Sequence, residues 1–225
     1  MKILGILGGM GPEASVDLYR ELVQRFYTSA GGDLKGYPHI MINNVPVPNL
    51  FQQTGEAPGL YLGEQASILE RSGAQVMGVA CNSAHFYLKY IKDALTNCLL
   101  LDMIKEVALR VRQDHHTKVG ILSSVMSRPI YAKHFKEQGI ELVMPEAKEQ
   151  EDVERIISEV LGGVKSEKLT KTLADHGTRL MAAGAECIIL GCTDLPLILK
   201  SNQVDYPLYS STSILADAMV REANA

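Results

Sequence analysis

The sequence predicts an α/β fold of two pseudo-symmetric lobes, each a parallel sheet flanked by helices. Three observations lead there. Short, continuously apolar runs alternate with longer amphipathic runs along all 225 residues, the pattern of parallel strands buried on both faces by crossover helices. Gly5-Ile6-Leu7 recurs as Gly120-Ile121-Leu122, and Gly73-Ala74 as Gly184-Ala185. Cys81 recurs as Cys192, 111 positions on, as does the Gly-Ala pair; the Gly-Ile-Leu landmark is displaced by 115. Landmarks displaced by nearly one distance indicate an internal duplication.

Strands are expected at 2–7, 39–45, 75–80, 99–102, 118–124, 141–145 and 187–191, with a shorter one at 207–211. Helical patterns fill 12–28, 57–72, 83–96, 103–114, 128–138, 149–161, 166–183 and 212–222. The opening MKILGIL runs into a helical pattern with no small-residue cleavage site, so it is read as the first strand, not a leader. The boundary falls near 102–104. Residues 1–102 plus 211–225 form the expected N-terminal lobe, with the last helix crossing back, and 103–210 the C-terminal lobe. The active site is expected in the cleft between them.

Composition excludes several classes of function. Hydrophobic residues make up 46% and charged residues 21%, as in ordinary globular domains. A net charge of −4 gives no reason to expect a nucleic-acid partner. No apolar run approaches the roughly 20 residues that span a bilayer. Four scattered cysteines fit a reducing cytoplasm better than a disulfide framework, and they match no zinc pattern. His85, His115 and His116 lack metal-ligand spacing and are assigned no chemistry.

The repeated cysteines carry the functional argument. Each follows an apolar strand, QVMGVA or CIILG, and carboxyl ends of parallel strands line ligand crevices. A helix beginning just beyond would favour thiolate through its unpaired amides, and Asn82-Ser83 and Thr193-Asp194 can cap such helices. Two equivalent thiols suit the inversion of a carbon centre, which needs a base on one face and an acid on the other. Hydrogen-bond donors must then stabilise the carbanion, and the GGMG amides, Asn82, Ser83 and Thr193 are available. Cys98 and Cys187, beside or within apolar runs, read as core residues.

Three ordered segments, GILGGMGPEAS (5–15), ACNSAH (80–85) and GCTDLP (191–196), resemble the signatures of the aspartate/glutamate racemase family. The likeness covers essentially the whole chain. It implies a PLP-independent amino-acid racemase that uses Cys81 and Cys192 as alternating acid and base, with no cofactor and no metal. It also implies a small amino-acid substrate and a homodimer. Met10 and Gly11 match the family's substrate-contacting turn, which is also a tight strand-to-helix turn opened by Pro12. Asn82, Ser83, Thr193 and Asp194 match polar substrate contacts, with Ser83 where threonine is usual and Asp194 where glutamate is usual. Ser124 and Ser127 lie at the strand end where members bind substrate, or simply form a turn. Lys165 matches a lysine that contacts the distal carboxylate in aspartate racemases; otherwise it is a solvated charge.

One segment departs from aspartate racemases. NNVPVPNLFQQTGE (43–56) has Asn49 at their aspartate position and Leu50 at their arginine position. Gln52 matches a substrate-contacting glutamine of broader-specificity members, or is an ordinary loop residue. Racemase chemistry is thus better supported than aspartate specificity. Competing readings are hydantoin racemase, maleate isomerase or arylmalonate decarboxylase on the same fold. A dinucleotide-binding oxidoreductase is disfavoured because GILGGMG lacks GxGxxG spacing and the second strand ends in Asn43-Asn44. A non-catalytic ligand-binding protein would tolerate loss of either cysteine.

Overall fold

In the computed structural model, residues 1–33, 36–46 and 55–225 are described. Their contacts divide the chain into two compact units. Unit 1 comprises Met1–Met103 with Thr212–Ala225, and unit 2 comprises Ile104–Ser211.

In unit 1 the strands are β1 (Leu4–Gly8), β2 (Ile40–Asn44), β3 (Val76–Val79) and β4 (Leu99–Leu100). They form one parallel sheet in the order β2-β1-β3-β4. Helices α1 (Pro12–Ser29), α2 (Ala57–Arg71), the short α3 (Leu88–Asp93) and α8 (Ser211–Asn224) accompany it. Leu4 and Ile6 of β1 and Val76 of β3 share a fully buried cluster with Leu18, Leu22 and Phe26 of α1 and Leu215 and Met219 of α8. Burying such a side chain is worth about 1.5–3 kcal/mol, so α8 is part of this unit's core although it is last in the chain.

Unit 2 repeats the plan. Strands β5 (Lys118–Leu122), β6 (Glu141–Val143), β7 (Ile188–Leu190) and β8 (Leu208–Ser210) make a parallel sheet in the order β6-β5-β7-β8. Helices α4 (Met103–Gln113), α5 (Arg128–Glu137), α6 (Ala147–Leu161) and α7 (Glu167–Ala182) complete the unit, α4 leading into it from Met103. Leu122, Ile188 and Leu190 pack with Val153, Ile156 and Ile157 of α6 and Leu173 and Leu180 of α7.

The duplication extends to individual hydrogen bonds. Gln75 N donates to Ile3 O, and Glu186 N to Lys118 O, each over 2.8 Å. Ala74 N donates to Leu69 O in unit 1, and Ala185 N to Leu180 O in unit 2. Gly73 and Gly184, with φ of 111° and 94°, end α2 and α7 in a backbone conformation that costs glycine little.

All eight expected strands are present, shorter than expected, with β1 shifted to end at Gly8 instead of Leu7. The helix expected over 83–96 is instead a 3-10 turn, Ser83–Tyr87, followed by the six-residue α3. His85, within that turn, directs its ring to the Cys81 carbonyl oxygen. Cys98, expected in the core, is only half-buried, because β4 is a two-residue strand at the edge of its sheet.

Candidate active site

Both repeated cysteines leave their sheets at the same place. In unit 1, β1 and β3 are in register at Leu7 and Val79, and Ala80 N closes the ladder on Leu7 O over 2.9 Å. Cys81 follows. In unit 2 the register pairs Leu122 with Leu190, and Gly191 N closes on Leu122 O over 2.8 Å. Cys192 follows. Both side chains are buried.

The helices expected beyond them are largely missing. A five-residue 3-10 turn follows Cys81, and one of only three residues, Leu195–Leu197, follows Cys192. Neither gives the aligned peptide dipoles of a long helix. Asn82 and Asp194 occupy the N-cap positions with helical backbone angles and make no side-chain cap bond. A capping side chain normally requires an extended backbone there. In unit 2 the carboxylate has another use, since the Cys192 thiol donates to Asp194 Oδ2 over 3.7 Å. In unit 1, the buried His85 ring lies 2.8 Å through Nδ1 from the Cys81 carbonyl oxygen.

The neighbouring strand ends bring in the other expected residues. Beyond β1, Gly9 N donates to Ser15 Oγ over 2.9 Å, and Ser15 Oγ donates to Gly11 O over 3.2 Å. This fixes the turn that holds Met10 and Gly11, both buried. Asn82 and Ser83 are buried in the same unit. Beyond β5, Ser127 Oγ donates to Ser124 O over 3.1 Å, and the two hydroxyls lie 3.4 Å apart. Ser124, Ser127, Thr193 and Asp194 are all buried in unit 2.

Helix α6 supports the serine turn from behind. Val125 N donates to Glu154 Oε1 over 2.6 Å, and Gln150 Nε2 donates to Ser123 O over 2.9 Å. The Arg128 guanidinium donates to Gln150 Oε1. Sequence reasoning missed Gln150 and Glu154, which look like surface residues of an amphipathic helix. His85 was also missed, although its spacing of four from Cys81 is a legible signal: that is one turn of helix-like backbone.

Lys165 lies in the α6–α7 loop, exposed, and lines a cavity of about 510 Å³ with Ser166, Thr170, Leu197, Ile198 and Gln203. Cys192 is not part of that lining. Gln52, Leu50 and Asn49 lie outside the described residues.

The other two thiols have different surroundings. Burial, and secondarily the nearby Glu70 carboxylate, pushes the Cys98 thiol up to about 11. Burial followed by Glu186 and Asp114 pushes Cys187 up to about 12. Both thiols are held in the protonated, unreactive form at neutral pH. Among the described residues, no group of three His, Cys, Asp or Glu could hold a metal ion, and no helix is long and apolar enough to cross a membrane.

A duplicated parallel α/β chain with one buried cysteine at the equivalent strand end of each half defines a narrow class of protein. The chain belongs to the Asp/Glu/Hydantoin racemase family, whose description matches residues 7–219. It is 25% identical over 233 residues to the broad specificity amino-acid racemase of Bacillus subtilis (strain 168), covering 97% of this chain and 96% of that one. The crystal structure of an aspartate racemase homologue from Pyrococcus horikoshii OT3 superposes with a TM-score of 0.84 at 28% identity, covering 100% of both chains. The Picrophilus torridus aspartate racemase shares the fold, with a TM-score of 0.82 at 23% identity, over 100% of this chain and 95% of that one.

Proposed function

We propose that this protein is a cofactor-independent amino-acid racemase in which Cys81 and Cys192 are the two proton-transfer groups. One observation carries the reading: in a family of racemases, both halves of this chain place a buried cysteine directly after the same closing ladder bond. The thiolate of one cysteine takes the α-proton from one face of the α-carbon, and the thiol of the other delivers a proton to the opposite face. In the reverse direction the roles exchange.

The carbanion formed between the two steps is stabilised by donors aimed at the substrate carboxylate. The Met10–Gly11 turn beyond β1, Asn82 and Ser83 beside Cys81, and Thr193 beside Cys192 supply them, and Ser124 and Ser127 add hydroxyls in unit 2. Lys165 and Gln52 contact the substrate side chain. Leucine in place of the aspartate-racemase arginine extends the substrate range to uncharged and longer amino acids; the Bacillus subtilis relative is named a broad specificity amino-acid racemase. The enzyme works in the cytoplasm as a homodimer.

The test is a panel of single-enantiomer amino acids incubated with enzyme freed of PLP and analysed by chiral chromatography. Racemisation without PLP, and with no Schiff-base absorbance, is the expected result. Activity that vanishes on PLP removal and returns with it would overturn the reading.

A further inference from the structure

The His85 imidazole is committed at both nitrogens. Met103 N, the first amide of α4, lies 3.1 Å from Nε2 and can only donate. Nε2 is therefore the acceptor, and the ring proton sits on Nδ1, where it donates to the Cys81 carbonyl over 2.8 Å. A ring so engaged is neutral and has no lone pair or proton left for a substrate or a thiol. The ring's two nitrogens reach the chemistry through the Cys81 peptide.

We infer that His85 is a positioning residue: it clamps the Cys81 peptide plane to the start of α4 and thereby sets the direction of the Cys81 thiol. This rests on the proposed role of Cys81 as a proton-transfer group. Cys81 lies beyond the last residue pair of the β1–β3 register, Leu7 with Val79. The 3-10 turn that follows uses Asn82 O, not Cys81 O, as the acceptor for His85 N, over 3.1 Å. The side-chain bond ties that plane, through the imidazole, to the Met103 amide. Rotation of the plane swings Cβ and Sγ, and a displacement of about 1 Å at a reacting group can cost ~10²-fold in rate.

The clamp has no counterpart in unit 2. The position 111 residues beyond His85 is Pro196, which has no polar side chain. There the Cys192 carbonyl accepts Leu195 N over 3.2 Å within its own turn. The two thiols are thus held by different means, and loss of His85 disturbs only the Cys81 side.

Three variants test this, with the Cys81→Ala variant in parallel. His85→Asn keeps a donor near the Nδ1 position, His85→Gln keeps an acceptor near Nε2, and His85→Phe keeps only ring bulk. The readouts are racemisation of the best panel substrate and the rate at which iodoacetamide labels Cys81 and Cys192, followed by peptide mass spectrometry. His85→Phe and His85→Gln should lose ~10²-fold in kcat, with KM changed less than about threefold. His85→Asn should recover at least a tenth of wild-type kcat. The Cys81 labelling rate should change several-fold in His85→Phe while that of Cys192 stays put, a readout that needs no activity. The inference is overturned if His85→Phe keeps wild-type kcat and Cys81 labelling. It is equally overturned if all three variants lose activity together with a parallel change at both cysteines, the sign of a general loss of fold. If Cys81→Ala itself racemises at the wild-type rate, the proposed function fails, and the labelling result still decides whether His85 positions Cys81.

Discussion

The Cys192 thiol donates to the Asp194 carboxylate two residues further along, over 3.7 Å, with both groups buried. A thiol hydrogen-bonded in this way is confined to one rotamer, which is what a proton donor of fixed direction needs. The carboxylate that the family resemblance casts as a substrate contact is therefore engaged with the thiol. Asp194→Ala should lower kcat by ~10²-fold through misorientation. Asp194→Asn, which keeps an acceptor oxygen, should fall between that variant and wild type. Steady-state kinetics of the two variants on one substrate checks the order.

Thiol reactivity should separate the four cysteines. With Cys98 at about 11 and Cys187 at about 12, roughly one thiol in a thousand or fewer is ionised at pH 8, and only the thiolate is alkylated. Cys98, although half-buried, should label slowly at pH 8 and accelerate about tenfold per unit of pH up to about 11. Cys98→Ser and Cys187→Ser should retain racemase activity and alter stability at most. Iodoacetamide labelling read by mass spectrometry at several pH values is the measurement.

Acid should weaken unit 2 through His176. This residue of α7 is buried, with no hydrogen-bond partner for Nε2 among the described residues. Burial, and then the Arg179 cation, lowers its pKa below the ordinary 6.5. The unfolded chain takes up that proton as pH falls through 6.5, while the folded chain resists until lower pH. The unfolded state then binds more protons, so stability is full above about 6.5 and falls below it. The melting temperature of wild type should drop between pH 7.5 and 5.5, and His176→Gln should show a flatter profile over that range. Differential scanning calorimetry decides this.

Side-chain selectivity should be broad. Arginine grips a carboxylate with two charge-assisted bonds that leucine cannot supply. Losing one partner of a buried charged pair commonly costs ~2–5 kcal/mol, roughly 30- to 4000-fold at 1.4 kcal/mol per tenfold. Turnover of uncharged amino acids should therefore rival or exceed that of aspartate. Strong, exclusive turnover of aspartate would show that another cation takes the arginine's place, and Lys165→Ala would then identify it or exclude it.

Much of this was legible in the sequence, for physical reasons. Strands buried on both faces must be continuously apolar, so β1, β3, β5 and β7 stood out. The duplication appeared as displaced Gly and Cys landmarks, and in the structure it recurs as paired ladder bonds at Leu7–Ala80 and Leu122–Gly191. What pattern could not show was where polar side chains would spend their hydrogen bonds. His85 turns to the Cys81 carbonyl and accompanies a 3-10 turn where periodicity indicated a helix. Asp194 turns to a thiol where composition indicated a cap. Gln150 and Glu154 brace a turn 27 and 29 positions away, a tertiary contact no local window contains.

Each thiol serves one enantiomer in the proposed reaction, and α-proton exchange in heavy water tests this most directly. Proton NMR of separate L and D samples of the best panel substrate would follow loss of the α-hydrogen signal with wild type, Cys81→Ala and Cys192→Ala. Wild type should exchange both enantiomers and racemise them. Each single variant should fail to racemise by at least ~10²-fold. Any residual exchange should be confined to one enantiomer, and to opposite enantiomers in the two variants. Full racemisation by either variant, or exchange of the same enantiomer by both, would contradict the two-thiol account.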